Sequence, residues 1–273
     1  MESSVRRTLS STLSPSFKAS LSLLIVFLVL FETVSGAQTS RSAANYYDRG
    51  NREYEKGNLK AALEDYTAAI AFDPQFAEAY NRRALARSAL NDLEGALADL
   101  RKAIEIDPGF IEARVNLGKG YLAAGDLGRS SEEFNKILEI DPRNADAFNN
   151  RGLIKRQRGD LHGAFKDFNQ AIEANPLMAM AYNNRGSVYL ARGDLKQAIA
   201  DFNKSLETDP HLAIAFANRA ITNLASGNDA EAETDYRRSL ELNKKLKPLL
   251  EHCFSQVRQQ RMAKAGGAAT AKP

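Results

Sequence analysis

The sequence predicts an all-α protein built as a stack of antiparallel helix pairs, and three observations carry that prediction. Five prolines recur at a spacing of 34 residues: Pro74, Pro108, Pro142, Pro176 and Pro210. A second series keeps the same spacing, with Gly57, Asn91, Gly125, Gly159, Gly193 and Gly227 followed two places later by Leu59, Leu93, Leu127, Leu161 and Leu195. Runs of alternating Val, Ile and Thr are absent after residue 40, while helix-forming residues abound. Proline stops the second helix of a pair, because it lacks an N–H and clashes with the preceding turn. Glycine or Asn takes the left-handed conformation that ends the first. Two further series fill the interior. Ala62, Ala96, Ala164, Ala198 and Ala232 let helices approach closely, and Tyr66, Leu100, Phe134, Phe168, Phe202 and Tyr236 cover the same face one turn on.

Taken in order, residues 1–37 come first and differ from the rest. A Ser-rich start with Arg6, Arg7 and Lys18 leads into the apolar run Leu21 to Phe31, closed by Glu32 and followed by Ser35 and Ala37. A basic start, a short apolar run and small residues at the exit describe a secretory signal cut after Ala37. The other reading is an uncleaved membrane anchor, against which the run is short of the roughly 20 residues a spanning helix needs. Both place the rest of the chain outside the cytosol, because the positive charges precede the apolar run. The Arg6-Arg7 pair follows Val5 and precedes a very apolar run, which favours a Sec-type over a twin-arginine signal. Residues 38–42 read as a linker. With one cysteine, Cys253, no internal disulfide exists, and that thiol is expected as a small buried group.

Counting each unit from the residue 31 before its proline gives six repeats, 43–76, 77–110, 111–144, 145–178, 179–212 and 213–246. Their fourth place holds Tyr46, Tyr80, Phe148, Tyr182 and Phe216, and their eighth holds Gly50, Ala84, Gly118, Gly152, Gly186 and Ala220. In period and in most positions this resembles the tetratricopeptide repeats. The resemblance implies a right-handed superhelical solenoid of antiparallel helix pairs that binds protein or peptide partners. Departures are Arg114 in the aromatic fourth place, Ser130 for Ala, Ile137 for a small residue, and Lys244 where the sixth proline is due. After Pro248 an amphipathic stretch reads as a capping helix over 247–263, as the end of a solenoid requires. Residues 264–273 read as a disordered tail.

Two polar series run through the repeats. Arg49, Arg83, Arg151, Arg185 and Arg219 stand in the seventh place, and sixteen residues on stand Asp65, Asp99, Asp167, Asp201 and Asp235. The repeat with Leu117 instead of Arg has Glu133 instead of Asp. Antiparallel helices bring such places together as bidentate ion pairs, within one repeat or between neighbours. Recognition of a ligand by the arginines stands beside that reading. Asn116, Asn150, Asn184 and Asn218 fill the sixth place, with Arg82 there in the second repeat, and Asn149, Asn183 and Lys119 stand close by. The resemblance places these on the concave wall, where a ladder of amides would hold an extended peptide by its backbone. Such ladders belong to the repeat domains of O-linked N-acetylglucosamine transferases, which are similar to this chain in that feature only. The plainer alternative is polar face residues bonded to water or to the next helix. The C-terminal end of that wall is apolar through Met180, Ile214, Ala217, Ile221 and Leu224, either an anchor pocket or the seat of the capping helix through Leu249, Leu250 and Phe254.

Several classes are disfavoured. Net charge is +3, from 37 basic and 34 acidic residues, which does not describe a nucleic-acid surface. The cations of a carboxylate clamp are missing from every triple of repeats. His162, His211 and His252 have no partner at ligand spacing, so no metal is expected. No phosphate loop, G-x-S-x-G or GxGxxG occurs, and the repeats leave no room for a catalytic domain. The expectation is an exported, non-catalytic interaction scaffold without cofactor, touching a membrane only through an uncleaved N-terminal segment. The alternative is a membrane-anchored structural subunit using its convex or end surfaces. Oligomeric state stays open.

Overall fold

The computed structural model of the protein describes residues 41–270, with side chains described through residue 263. All regular structure among them is helical. Residues 41–55 form α1, followed by α2 (Leu59–Phe72), α3 (Ala77–Ala89), α4 (Leu93–Ile106), α5 (Ile111–Ala123), α6 (Leu127–Ile140), α7 (Ala145–Gln157), α8 (Leu161–Ala174), α9 (Ala179–Arg192), α10 (Leu195–Thr208), α11 (Ala213–Ser226), α12 (Asp229–Leu242), a 3-10 turn (Lys244–Leu246) and α13 (Lys247–Thr270). Odd-numbered helices from α1 to α11 open the repeats and even-numbered ones from α2 to α12 close them.

The turns form where the periodic residues require them. Gly57, Gly125, Gly159, Gly193 and Gly227 all have φ between 79° and 87°, and Asn91 takes φ 65° in the same place. That conformation ends the opening helix and lets the chain reverse within two residues. At the other end of the first five repeats a carboxylate or amide precedes the proline. Asp73 Oδ1 accepts from Gln75 N at 2.9 Å, Asp107 Oδ1 from Gly109 N at 2.9 Å and Asn175 Oδ1 from Leu177 N at 3.0 Å.

The chain divides into two compact units, which meet in sequence at Phe110 and Ile111. The first comprises α1–α4 and centres on Ala62, Tyr66 and Ala86, with a second cluster of Ala69, Ile70 and Ala79 under Tyr46, Tyr47, Phe76 and Tyr80. Tyr66 donates its hydroxyl to Asn51 Oδ1 at 2.8 Å, and burial pushes its phenol up to about 12.

The second unit comprises α5–α13. Each helix packs on the next, and the opening helices α5, α7, α9 and α11 also pack side by side. Phe134, Phe168 and Phe202, all fully buried, lie flat against the eighth-place glycines of their own repeats. A Cβ on Gly118, Gly152 or Gly186 would come within 2.6–2.8 Å of those rings.

The last repeat closes on α13. Leu250 and Phe254 join Ala217, Ala220, Leu224 and Ala232 in one cluster, flanked by Ile214 and Ile221. The apolar end of the opening-helix row is therefore occupied by the chain's own closing helix, although Leu249 points away and is exposed, as is Met180. Arg261 fastens the helix, donating to Leu224 O at 3.0 Å and to Asp229. Helix α12 stops at Leu242 and α13 runs on to Thr270, over part of the stretch read from sequence as a tail. Once a helix is nucleated, alanines extend it at little cost. Cys253 is free and only half-buried, not fully buried as its composition implied.

Candidate functional site

Two polar systems occupy the helix faces, and they differ in what they leave available. The first is built on the seventh-place arginines. Arg83 Nε and Nη2 donate to Asp99 at 2.8 and 2.7 Å, Arg151 to Asp167 at 2.8 Å through both, Arg185 to Asp201 at 2.8 and 2.7 Å, and Arg219 to Asp235 at 2.8 and 2.7 Å. Arg49 holds Asp65 in the same fork. Every pair lies within one repeat. The bond to Asp201 raises the Arg185 pKa above its ordinary value, with burial opposing it. Beneath each guanidinium lies the fourth-place ring of the same helix, from Tyr46 under Arg49 at 4.9 Å to Tyr182 under Arg185 at 5.6 Å.

The remaining Nη1 of these arginines makes a bond that the sequence reading missed. Arg151 donates to Asn135 at 2.9 Å, Arg185 to Asn169 and Arg219 to Asn203 at 2.7 Å, each acceptor lying in the preceding repeat. In the first unit Thr67 plays that part for Arg83, at 3.3 Å. Asn135, Asn169 and Asn203 recur every 34 residues in the 25th place, so the signal was present in the same series. One planar cation thus ties its own two helices together and its repeat to the one before.

Repeat 3 does this differently. Leu117 has no donor, and Arg114, in the place of the usual ring, reaches Glu133 at 3.1 Å while Lys136 takes the other oxygen at 2.7 Å. Two departures in one repeat are one compensated change. The cation moves one turn back along α5, and the longer Glu spans the difference.

The second system is the asparagine row. Asn149, Asn150, Asn183 and Asn184 are only 6%, 7%, 2% and 3% exposed. Asn184 Nδ2 donates to Asn149 Oδ1 at 2.8 Å and Asn218 Nδ2 to Asn183 Oδ1 at 2.9 Å, so the sixth place of one repeat holds the fifth place of the repeat before. Asn183 Nδ2 reaches Asn184 Oδ1 at 3.4 Å and Asn218 also reaches Ser187 Oγ at 3.3 Å. Asn150 Nδ2 bonds only within its own helix, to Asp146 O at 2.8 Å. Asn183 and Asn184 are therefore spent on each other and their neighbours. Asn149 Nδ2, Asn150 Oδ1 and Asn218 Oδ1 keep polar capacity. Asn116 is half-buried on α5, Lys119 is exposed one turn on, and Arg82 lies in the other unit, close enough to Tyr66 to oppose the rise of its pKa.

Models of the tetratricopeptide repeat match residues 50–90, 87–149, 145–176 and 177–245, which together run through most of the described helices. The chain belongs to the tetratricopeptide-repeat family. Solved repeat structures agree in fold. A chain of the APC/C hetero-tetramer Cut9–Hcn1 is similar over 79% of this chain with a TM-score of 0.70 at 17% identity, and this chain spans only 43% of its length. A tetratricopeptide repeat protein from Parabacteroides merdae aligns over 79% of this chain and 84% of its own, at 22% identity and a TM-score of 0.65. Pseudomonas aeruginosa pilF aligns over 82% of this chain and 99% of its own, at 14% identity and a TM-score of 0.65. No curated protein matches the sequence. As in the family generally, the repeats make a protein–protein interaction scaffold.

No cluster of His, Cys, Asp and Glu suited to a metal occurs among the described residues, and no helix among them is long and apolar enough to cross a membrane. The apolar run of residues 21–31 lies outside the described residues, and so does the expected cut after Ala37.

Proposed function

We propose that the chain is an exported, non-catalytic scaffold whose second unit holds an extended segment of a partner protein along the row of α5, α7, α9 and α11. The observation that carries this reading is the amide row itself. Asn149, Asn183, Asn184 and Asn218 are fixed by bonds between repeats and Asn150 by a bond within its own helix. They are therefore ordered before any partner arrives, and preorganised groups lose less entropy on binding. Asn149 Nδ2, Asn150 Oδ1 and Asn218 Oδ1 remain to meet the N–H and C=O groups of a peptide, with Lys119 beside them. Export rests on the basic start, short apolar run and small-residue exit of residues 1–37.

The test separates contact from scaffold. Asn150 and Lys119 make no bond between repeats, so Lys119→Ala with Asn150→Ala should leave the melting temperature close to that of the wild type. Affinity capture from the native source with both proteins should then lose partners from the variant alone. Partners retained equally by both would move the working surface elsewhere. N-terminal sequencing of the native protein should begin at Gln38; an intact Met1 would favour the anchored form.

A further inference from the structure

The twelfth place of the repeats in the second unit reads Leu122, Arg156, Leu190, Leu224. Three leucines and one arginine share a row. Leu224 is buried against Phe254, Leu122 packs against the cluster of Phe134 and Ile137, and Leu190 is half-buried. The bond from Asn184 to Asn149 joins α9 to α7 at an offset of 35 residues, and the same offset from Arg156 falls on Ala191, next to Leu190. Asn149, Leu153 and Arg156 follow one another on one face of α7, at intervals of four and three residues.

Arg156 is the exception in a second sense. On the opening helices of this unit Arg114, Arg151, Arg185 and Arg219 each hold a carboxylate, and Arg192 donates to Leu161 O and lies over the Phe165 ring. The Arg156 side chain is half-buried and makes no hydrogen bond, ion pair or ring contact among the described residues. Its pKa is depressed by burial, with no charged neighbour restoring it. Even partial desolvation of a guanidinium without a partner carries a cost, which Leu in this place avoids in the other three repeats of the unit. The unpaired charge, set in a row of leucines, is open to an anion from outside.

We propose that Arg156 receives a side-chain carboxylate, Asp or Glu, from the interior of the partner's extended segment, flanked by apolar residues that pack on the leucines of the same row. This rests on the reading of the row as the binding surface and adds the chemistry of what it selects. A side-chain carboxylate rather than a chain terminus fits the position, because Leu122 and Leu190 hold the same place in the repeats on either side and a segment packing on both continues past Arg156. The planar guanidinium takes both carboxylate oxygens, which gives a geometric preference that a lysine would not.

Random peptides displayed on phage, with no free C terminus, would be selected on the full chain and then synthesised with amidated ends. The expected result is enrichment of Asp or Glu within an apolar context. Changing that residue to Asn or Gln should weaken binding to the wild type by about ten- to a hundredfold, as loss of a charged hydrogen bond does. Binding to Arg156→Leu should be equally weak for acidic and amide peptides, while the variant melts at a higher temperature than the wild type. Peptides that lose affinity on Asn150→Ala yet ignore both Arg156→Leu and their own acid would overturn the inference and leave the groove standing. Peptides whose acid matters only as a free C-terminal carboxylate would overturn the choice of side chain. Selected peptides indifferent to every one of these changes, or no selection at all, would overturn both the inference and the groove.

Discussion

Gly152 offers the sharpest test of how the repeats are packed. A Cβ at that position would lie 2.6 Å from Phe168 Cε1, 2.8 Å from Cδ1 and 3.1 Å from Cζ. Ordinary carbon contacts sit at about 3.5–4.0 Å, so the added methyl has to displace the ring by roughly 1 Å. The ring has nowhere to go, being fully buried with Ala164 and Val188 and flanked by Leu153, Leu161 and Phe165. Overpacking of this kind costs about 1–3 kcal/mol, and the better helix propensity of Ala returns up to about 1 kcal/mol. With the full propensity gain, Gly152→Ala should therefore destabilise by up to about 2 kcal/mol, read by thermal or urea unfolding as about 2–4 °C per kcal/mol in a chain near this size. Repeat 2 shows the remedy, since Ala84 there is paired with Leu100, and both are buried. Phe168→Leu alone leaves a gap and costs about 1 kcal/mol. The double variant Gly152→Ala, Phe168→Leu should then be more stable than the sum of the singles by about 1 kcal/mol or more. Singles that simply add would refute the packing argument.

Two further outcomes follow from the ion pairs. Arg185→Lys keeps the charge but loses the fork on Asp201 and the link to Asn169 in the preceding repeat. It should cost about 1–3 kcal/mol, and hydrogen exchange should show the loss in both repeats; protection changed in α9 and α10 alone would argue against the inter-repeat tie. At the C terminus the bond from Arg261 holds the Asp229 carboxyl below its ordinary value of 3.8. A depressed carboxylate stabilises the docked helix above that value and ceases to do so as pH falls through its own lower pKa. Limited proteolysis of α13 should accordingly speed up only under acid, and Arg261→Ala should abolish that pH dependence.

The fold was legible because its constraints are local and periodic. Proline at the end of the second helix in five of the six repeats and a left-handed residue after each first helix report the backbone geometry of a 34-residue repeat, and Asn91 in a row of glycines is the same requirement met by another residue. The Arg and Asp series was legible in pairing but not in reach. Their spacing of sixteen describes one repeat, whereas the bond to Asn135, Asn169 or Asn203 crosses into the preceding one and also spans sixteen residues, so one number concealed two partners. The asparagines show the converse. Their period marked a row, but period alone does not say whether an amide faces solvent or its neighbour. Burial of Asn183 and Asn184 depends on how closely α7, α9 and α11 approach, which a period of 34 residues does not report. Arg114 looked like a lost aromatic until its distance to Glu133 made it a relocated cation.

Everything proposed for this chain depends on partners lying along α5, α7, α9 and α11 of the second unit. A photo-activated crosslinking residue placed at Gln157 on α7, and in a second protein at Lys204 on α10, both exposed, is the direct test. Irradiation in the native source should capture a partner from position 157 and not from position 204. Capture from position 204 alone would place the partner on the closing helices and contradict the proposal.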